Sequence, residues 1–313
     1  MSNQPTDRRH APIQPPALKK GDLIGLICPA GYMPLEKTAQ CRATLASWGY
    51  RTLVGSSVGH QHHYFAGTDE ERLADLQAML DNTEVKAILC ARGGYGTSRI
   101  IDQVNWRAFK KNPKWIIGFS DVTVLHSYLY SRLRTCSLHA PMANAFNDGG
   151  WQNEYVQSLR RALAGKRAHY KTAPHPFNRA GKASGRLVGG NLSLLAHQIG
   201  SPSDVNTDGC ILFIEDVGEY LYNVDRMLLQ LRRAGKLRKL AGLVVGGFTE
   251  LKDTTVGFGQ TVHEIIAAHV AGYDYPVCYD FAVSHDTPNY ALKVGAPYQL
   301  SVGRTVSLQE LAY

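Results

Sequence analysis

A chain of 313 residues, 44% hydrophobic and 19% charged, has the composition of a soluble globular protein with one large or two medium domains. No apolar run approaches the length of a membrane span, which excludes a helical membrane protein. The formal charge of +8 is diluted: Arg8, Arg9, Lys19 and Lys20 against Asp7 put +3 of it in residues 1–20, and no basic helix or aromatic-basic stripe gathers the rest. That modest positive field suits a small anionic substrate rather than a nucleic acid or a membrane surface.

Residues 1–20 are polar and Pro-rich, with Pro5, Pro12, Pro15 and Pro16, and lack the apolar segment of a secretory signal. They are expected to form a flexible tail on a cytoplasmic protein. Leu23–Cys28 reads as a buried strand followed by the turn Pro29-Ala30-Gly31, and Glu36 to Trp48 as a helix stopped by Gly49. Thr68-Asp69-Glu70-Glu71 is a capping box, and the helix it opens has Leu73, Leu76 and Leu80 on one face. Ala87–Ala91 and Trp115–Phe119 are two more short buried strands. This β-α-β-α order predicts an α/β fold with a parallel, doubly wound sheet over residues 21–146.

Over residues 147–184 the pattern dissolves into glycines, prolines and polar residues, read as a linker with a helix near Val156 to Leu163. Residues 185–313 predict a second, smaller α/β domain. It begins with the strand and glycine turn Gly185–Asn191 and continues with the strand Cys210–Ile214, ending at Glu215. Asn223 caps a helix with Val224, Leu228 and Leu231 on one face and Gly235 as its stop, and Gly242–Phe248 and Pro276–Val283 supply further strands. Cys28, Cys41, Cys90, Cys136, Cys210 and Cys278 are scattered without a C-x-x-C pair, so they read as reduced core residues and predict no metal site.

The chemistry concentrates around Ser120, at a junction between an apolar strand and a helix-like stretch, where open α/β sheets place their ligands. A serine there is either a helix cap or a nucleophile beside the Asp121 N–H. Arg92-Gly93-Gly94-Tyr95-Gly96, directly after a strand, is either a tight turn or a nest of N–H groups, and it lacks both the Walker lysine and the G-x-G-x-x-G spacing. Glu215, Asp216 and Glu219 cluster at the end of an apolar strand, where alternation puts Glu215 and Asp216 on opposite faces. Among twelve histidines, His285 and His139 best fit a cleft loop following a strand. His60, His62 and His63 lack the separated further ligand that zinc requires, and His126 falls inside a helix. Serine, acid, histidine is also the triad order of α/β-hydrolases, but Val122 replaces the second glycine of their nucleophile elbow. The residues by themselves leave open which acid serves.

Gly21–Gly25, Tyr64–Gly67, Ala91–Gly96, Gly118–Asp121, His139–Met142, Gly185–Leu195, Ile211–Glu219 and Asp225–Leu231 together carry a family resemblance. The chain resembles the LD-carboxypeptidases of the murein tetrapeptide type, serine peptidases with a Ser-Glu-His triad. The resemblance implies Ser120 as nucleophile, Glu215 as triad acid and His285 as base, on an N-terminal domain similar to class I glutamine amidotransferases and a C-terminal acid-base domain, assembled as a homodimer. The substrate it implies is a muropeptide tetrapeptide, cut in cell-wall recycling between an L-centre, diaminopimelate or lysine, and a C-terminal D-alanine. The oxyanion is expected at the N–H groups of Asp121 with Gly93 or Gly94. Arg92, Tyr95, Arg99, Arg186 and Asn191 are candidates for holding substrate, and no metal or cofactor is expected. The chain departs from the family at Ala140, Ser284 and Leu292-Lys293-Val294-Gly295, the last two near His285. Two other functions fit the same residues: a microcin C immunity-type amidase acting on an aminoacyl nucleotide, and a non-catalytic muropeptide binder.

Overall fold

The computed structural model describes residues 11–313. Thirteen strands among them, β1 (Leu23–Ile27), β2 (Arg51–Val54), β3 (Val85–Cys90), β4 (Trp115–Gly118), β5 (Ser137–His139), β6 (His169–Thr172), β7 (Gly181–Asn191), β8 (Ile211–Val217), β9 (Gly242–Thr249), β10 (Val277–Cys278), β11 (Leu292–Val294), β12 (Pro297–Val302) and β13 (Val306–Glu310), form two sheets. The first has the order β11-β5-β4-β3-β1-β2. It is parallel from β2 to β5, and β11 is antiparallel at its edge.

The apolar runs of β1, β4 and β3 from Ala87 onward follow from burial on both faces. Ile24, Leu26, Leu89, Trp115 and Ile117 point into one core with the helices Ala39–Ser47 and Glu154–Leu163. Leu23, Ile27, Ile88, Cys90 and Ile116 point into another with the helices Asp69–Asp81 and Thr123–Tyr128. The capping box at Thr68 is formed in full, its side chain accepting from Glu71 N while Glu71 accepts from Thr68 N.

The second sheet has the order β10-β9-β8-β7-β12-β13-β6, parallel through β7 to β10 and antiparallel beyond β7. One face is covered by the helices Leu221–Arg233 and Val262–Val270. Its other face, with Leu187, Phe213 and Val244, shares a single core with Leu89, Ile117 and Leu138 of the first sheet. All six cysteines are free and buried.

Several expectations change. Seven strands against six make the second sheet no smaller than the first. The stretch 147–184 supplies a helix, β6 and the start of β7, because its alternating residues pair with β13 and β12. The strand expected over 276–283 ends at Cys278, where Asp280 turns the chain at φ +53. Of the expected tail, residues 1–10 lie outside the described residues. Residues 11–20 are docked: Ile13 bridges to Thr135, Leu18 is buried, and the Trp115 indole donates to the Pro16 carbonyl at 2.9 Å. The segment's non-proline residues also pair through the backbone, Ile13 N donating to the Arg134 carbonyl at 2.6 Å and Leu18 N to the Leu163 carbonyl at 2.8 Å.

Candidate active site

Ser120 is the second residue beyond β4, at the carboxyl end of the first sheet. Its backbone is left-handed, φ +62, which costs a non-glycine residue about 1 kcal/mol or more. The residue opens a short 3-10 turn, Ser120–Val122, that leads into the helix Thr123–Tyr128. No side chain caps either element, so the cap reading of Ser120 is corrected. Ser120 Oγ lies 2.9 Å from His285 Nε2.

Glu215 and His285 arrive from the second sheet by two routes. Glu215 ends the apolar part of β8, and its register partner on β7 is Asn191. Between Ile214 and Asp216 the pairing with β9 slips, so that Gly246 and Gly247 oppose the single residue Glu215. Such bulges re-aim side chains. Glycine is required at Gly246 because a Cβ there would run into the Val283 carbonyl and reach 3.2 Å from Glu215 Cβ. His285 lies on the segment that leaves β10 and rejoins the first sheet as β11, beside β5. The crossing from one sheet to the other carries the imidazole over Ser120.

His285 Nδ1 is 2.5 Å from Glu215 Oε2, and Glu215 is fully buried. Burial by itself would lower the histidine pKa. The hydrogen bond and charge of Glu215, aided by Asp216 and Asp286, outweigh it and hold His285 above the ordinary value of 6.5. Asp216 points the other way, as alternation predicts. Its carboxylate accepts from Asn191 Nδ2 at 2.7 Å, Val217 N at 2.9 Å and Ser193 N at 2.9 Å, while burial raises its pKa to about 6.

The glycine loop packs against Ser120. A Cβ on Gly93 would sit 3.0 Å from Ser120 Cβ and 3.2 Å from Oγ, so any side chain there would push the loop and Ser120 apart by a few tenths of an ångström. Gly94 opens instead toward the Tyr64 hydroxyl. Sequence reasoning missed the brace beneath the loop. Fully buried Arg72 donates from Nη1 to the carbonyls of Pro29 (2.6 Å) and Gly96 (3.1 Å) and pairs with Asp69. Asp121 is buried and its Oδ2 accepts from Thr97 N at 2.9 Å, tying the serine turn to the end of the same loop.

A cleft of about 960 Å³ opens beside His285 and Phe119. Arg92 lines it, along with Lys37, Asn144, Asp148, Tyr155 and Asp286, none of which except Arg92 was singled out from sequence. The other substrate-binding candidates lie elsewhere. Arg99 holds Asp69 through Nε and Nη2, and Tyr95 packs on Phe65. Arg186 donates to the Gly295 carbonyl and borders a separate hollow with Tyr130 and Arg134. Asn191 caps the helix Leu192–His197 through Oδ1 and gives Nδ2 to Asp216, so its amide has no free end for a ligand. These placements share one cause: proximity in sequence to a glycine turn does not set the direction of a long side chain. His139 is buried behind Phe119, with Nε2 3.3 Å from Asn289 Oδ1, and burial keeps its pKa well below 6.5.

A two-sheet α/β chain with serine, histidine and glutamate in hydrogen-bonded series defines a class, the serine hydrolases built on an α/β scaffold. Comparison with known proteins narrows the class. Residues 24–140 match the LD-carboxypeptidase N-terminal domain and residues 184–300 the LD-carboxypeptidase C-terminal domain. The chain belongs to the LD-carboxypeptidase family and is a serine peptidase. It is 34% identical over 302 residues to a probable murein peptide carboxypeptidase of Bacillus subtilis, covering 95% of this chain and 94% of that one. The crystal structure of muramoyltetrapeptide carboxypeptidase from Oxalobacter formigenes superposes with a TM-score of 0.84 at 29% identity, covering 93% of this chain and 99% of the other. The microcin C7 self-immunity protein of Escherichia coli is 24% identical over 338 residues, covering 96% of each chain. Among the described residues no helix is long and apolar enough to cross a membrane.

Proposed function

We propose that this protein removes the C-terminal D-alanine of a murein tetrapeptide by cutting its bond to an L-centre, with Ser120 as nucleophile, His285 as base and Glu215 as the acid that orients the base. The observation that carries the reading is the unbroken series Ser120 Oγ, His285 Nε2, His285 Nδ1, Glu215 Oε2, at 2.9 and 2.5 Å. In this mechanism His285 Nε2 takes the Ser120 proton as Oγ attacks the scissile carbonyl. Glu215 stabilises the imidazolium that forms, and Nε2–H then protonates the departing amine of D-alanine. Water, deprotonated by the same nitrogen, attacks the acyl-Ser120 ester and releases the tripeptide.

The carbonyl oxygen that becomes negative is assigned to the N–H groups of Gly93 and Asp121. The close approach of Gly93 to Ser120 Oγ supports this assignment over Gly94. One such donor is worth about 3 kcal/mol of barrier. Arg92 and Lys37 are the cations available in the cleft for the carboxylates of the peptide. In this reading residues 21–146 form the nucleophile domain and residues 185–313 the acid-base domain of a cytoplasmic homodimer. Gel filtration and cell fractionation test those last two properties.

The functional test presents purified protein with L-Ala-γ-D-Glu-diaminopimelate-D-Ala, with the same peptide ending in L-alanine, and with an aminoacyl sulfamoyl adenosine. Mass spectrometry follows the products. Loss of alanine from the first substrate alone is expected. Cleavage of the nucleotide analogue in preference to the tetrapeptide would overturn the substrate assignment.

A further inference from the structure

Away from the serine site, three separately folded segments bring two histidines and a carboxylate together. His175 comes from the loop between β6 and β7, His263 from the first turn of the helix Val262–Val270, and Asp280 from the turn just after β10. One donor atom from each lies within 4.8 Å of the others. His263 Nε2 is 3.0 Å from Asp280 Oδ1, and His175 Nε2 is 3.5 Å from Asp280 Oδ2. These spacings bracket the separation of about 3.3 Å between ligands on a tetrahedral ion with bonds of about 2.0 Å. The rings are held in place from behind: His175 stacks on Phe177 and on buried Tyr279, and His263 meets the edge of Tyr279.

We propose that His175, His263 and Asp280 form a binding site for a divalent transition-metal ion of the zinc type. Two imidazoles and one carboxylate are a donor set such ions accept, and three protein ligands leave a coordination position for water. Asp280 is 57% exposed, so the open side of the site faces solvent and gives the ion a path of entry. Each ring binds through Nε2 and keeps its proton on Nδ1. At His175 that tautomer gives up the long contact, 3.2 Å, donated by Phe177 N to Nδ1. An ion held there clamps the turn at Asp280, five residues before His285, to a helix and a loop of the second sheet. His60, His62 and His63 are close in sequence but do not converge in this way, and His62 and His63 meet only ring to ring.

The test uses full-length protein free of any polyhistidine tag, stripped with EDTA, and titrated with zinc chloride by calorimetry and with cobalt(II) by visible absorption. One equivalent of zinc is expected per chain, with an intensified cobalt band from four-coordinate nitrogen and oxygen ligands and a rise in Tm on adding zinc. His263→Ala and Asp280→Asn are each expected to weaken binding about tenfold or more, whereas His62→Ala/His63→Ala binds as the wild type does. Absence of saturable binding and of the cobalt band in the wild-type protein overturns the proposal, independently of how the variants fold. Binding that persists in both His263→Ala and Asp280→Asn, or that disappears with His62 and His63, overturns it as well.

Discussion

His126 Nε2 lies 2.8 Å from the carbonyl of Gly118, two residues before Ser120. A carbonyl only accepts, so Nε2 carries the proton, and Nδ1 accepts from the Ser137 hydroxyl at 2.8 Å. The ring is neutral, and complete burial lowers its pKa from 6.5 to about 4. The residue that the sequence placed inside a helix thus holds the end of β4 where the serine turn begins.

This has a definite consequence for acid stability. A base with a depressed folded pKa contributes stability that is complete above pH 6.5 and is lost as pH falls toward 4. The loss reaches at most about 3 kcal/mol. His126→Gln keeps a donor near Gly118 and titrates nothing, so denaturant melts should show the wild type losing stability relative to the variant across that window. Parallel curves would refute the assignment.

Ser120 should be less stable than glycine at its own position. Its φ of +62 is a conformation glycine adopts freely. Ser120→Gly is expected to raise stability by about 1 kcal/mol while abolishing turnover, measured as Tm and as alanine release. An unchanged or lower Tm would mean that the hydrogen bond to His285 outweighs the strain.

The acid limb of kcat/KM reports deprotonation of His285 and is expected above pH 6.5, since Glu215 holds the imidazolium in place. Glu215→Gln removes the strongest influence opposing burial and leaves only the charges of Asp216 and Asp286 against it, so the limb should move to lower pH. Turnover should also fall by a factor on the order of 10⁴. The stability term of His285 has the opposite sign from that of His126. It is complete below pH 6.5 and lost as pH rises through the folded value. A pH profile unmoved by Glu215→Gln would show that another group sets the limb.

Much of the first sheet was legible because β1, β4 and β3 from Ala87 onward are buried on both faces and so read as apolar runs. The half-buried edge strand β2, the three-residue β5 and the antiparallel strands after β10 gave no comparable signal. Ser120 and Glu215 stood out because each ends an apolar strand. The choice of Glu215 over Asp216 did not follow from alternation, which separates their faces without saying which face meets the cleft. It depends on the slip opposite Gly246 and Gly247, a pairing between distant segments. Arg72 was invisible for the same reason, since the carbonyls it satisfies belong to Pro29, Gly67 and Gly96.

Gly93→Ala places a methyl group 3.2 Å from Ser120 Oγ. Alanine keeps the N–H, but the methyl group pushes the loop and Ser120 apart and so moves that donor off the oxyanion position. Turnover is expected to fall by about 10²–10³ with little change in KM, because the oxyanion forms only in the transition state. Steady-state kinetics on the tetrapeptide check this. A rise in KM at constant kcat would move Gly93 out of the oxyanion site and into ground-state binding.

The role of Ser120 as nucleophile is measured by the rate of D-alanine release from the tetrapeptide in wild type and Ser120→Ala at equal folded fraction. A loss of about 10⁶ with the fold intact is predicted. Turnover within tenfold of wild type in Ser120→Ala would contradict the account.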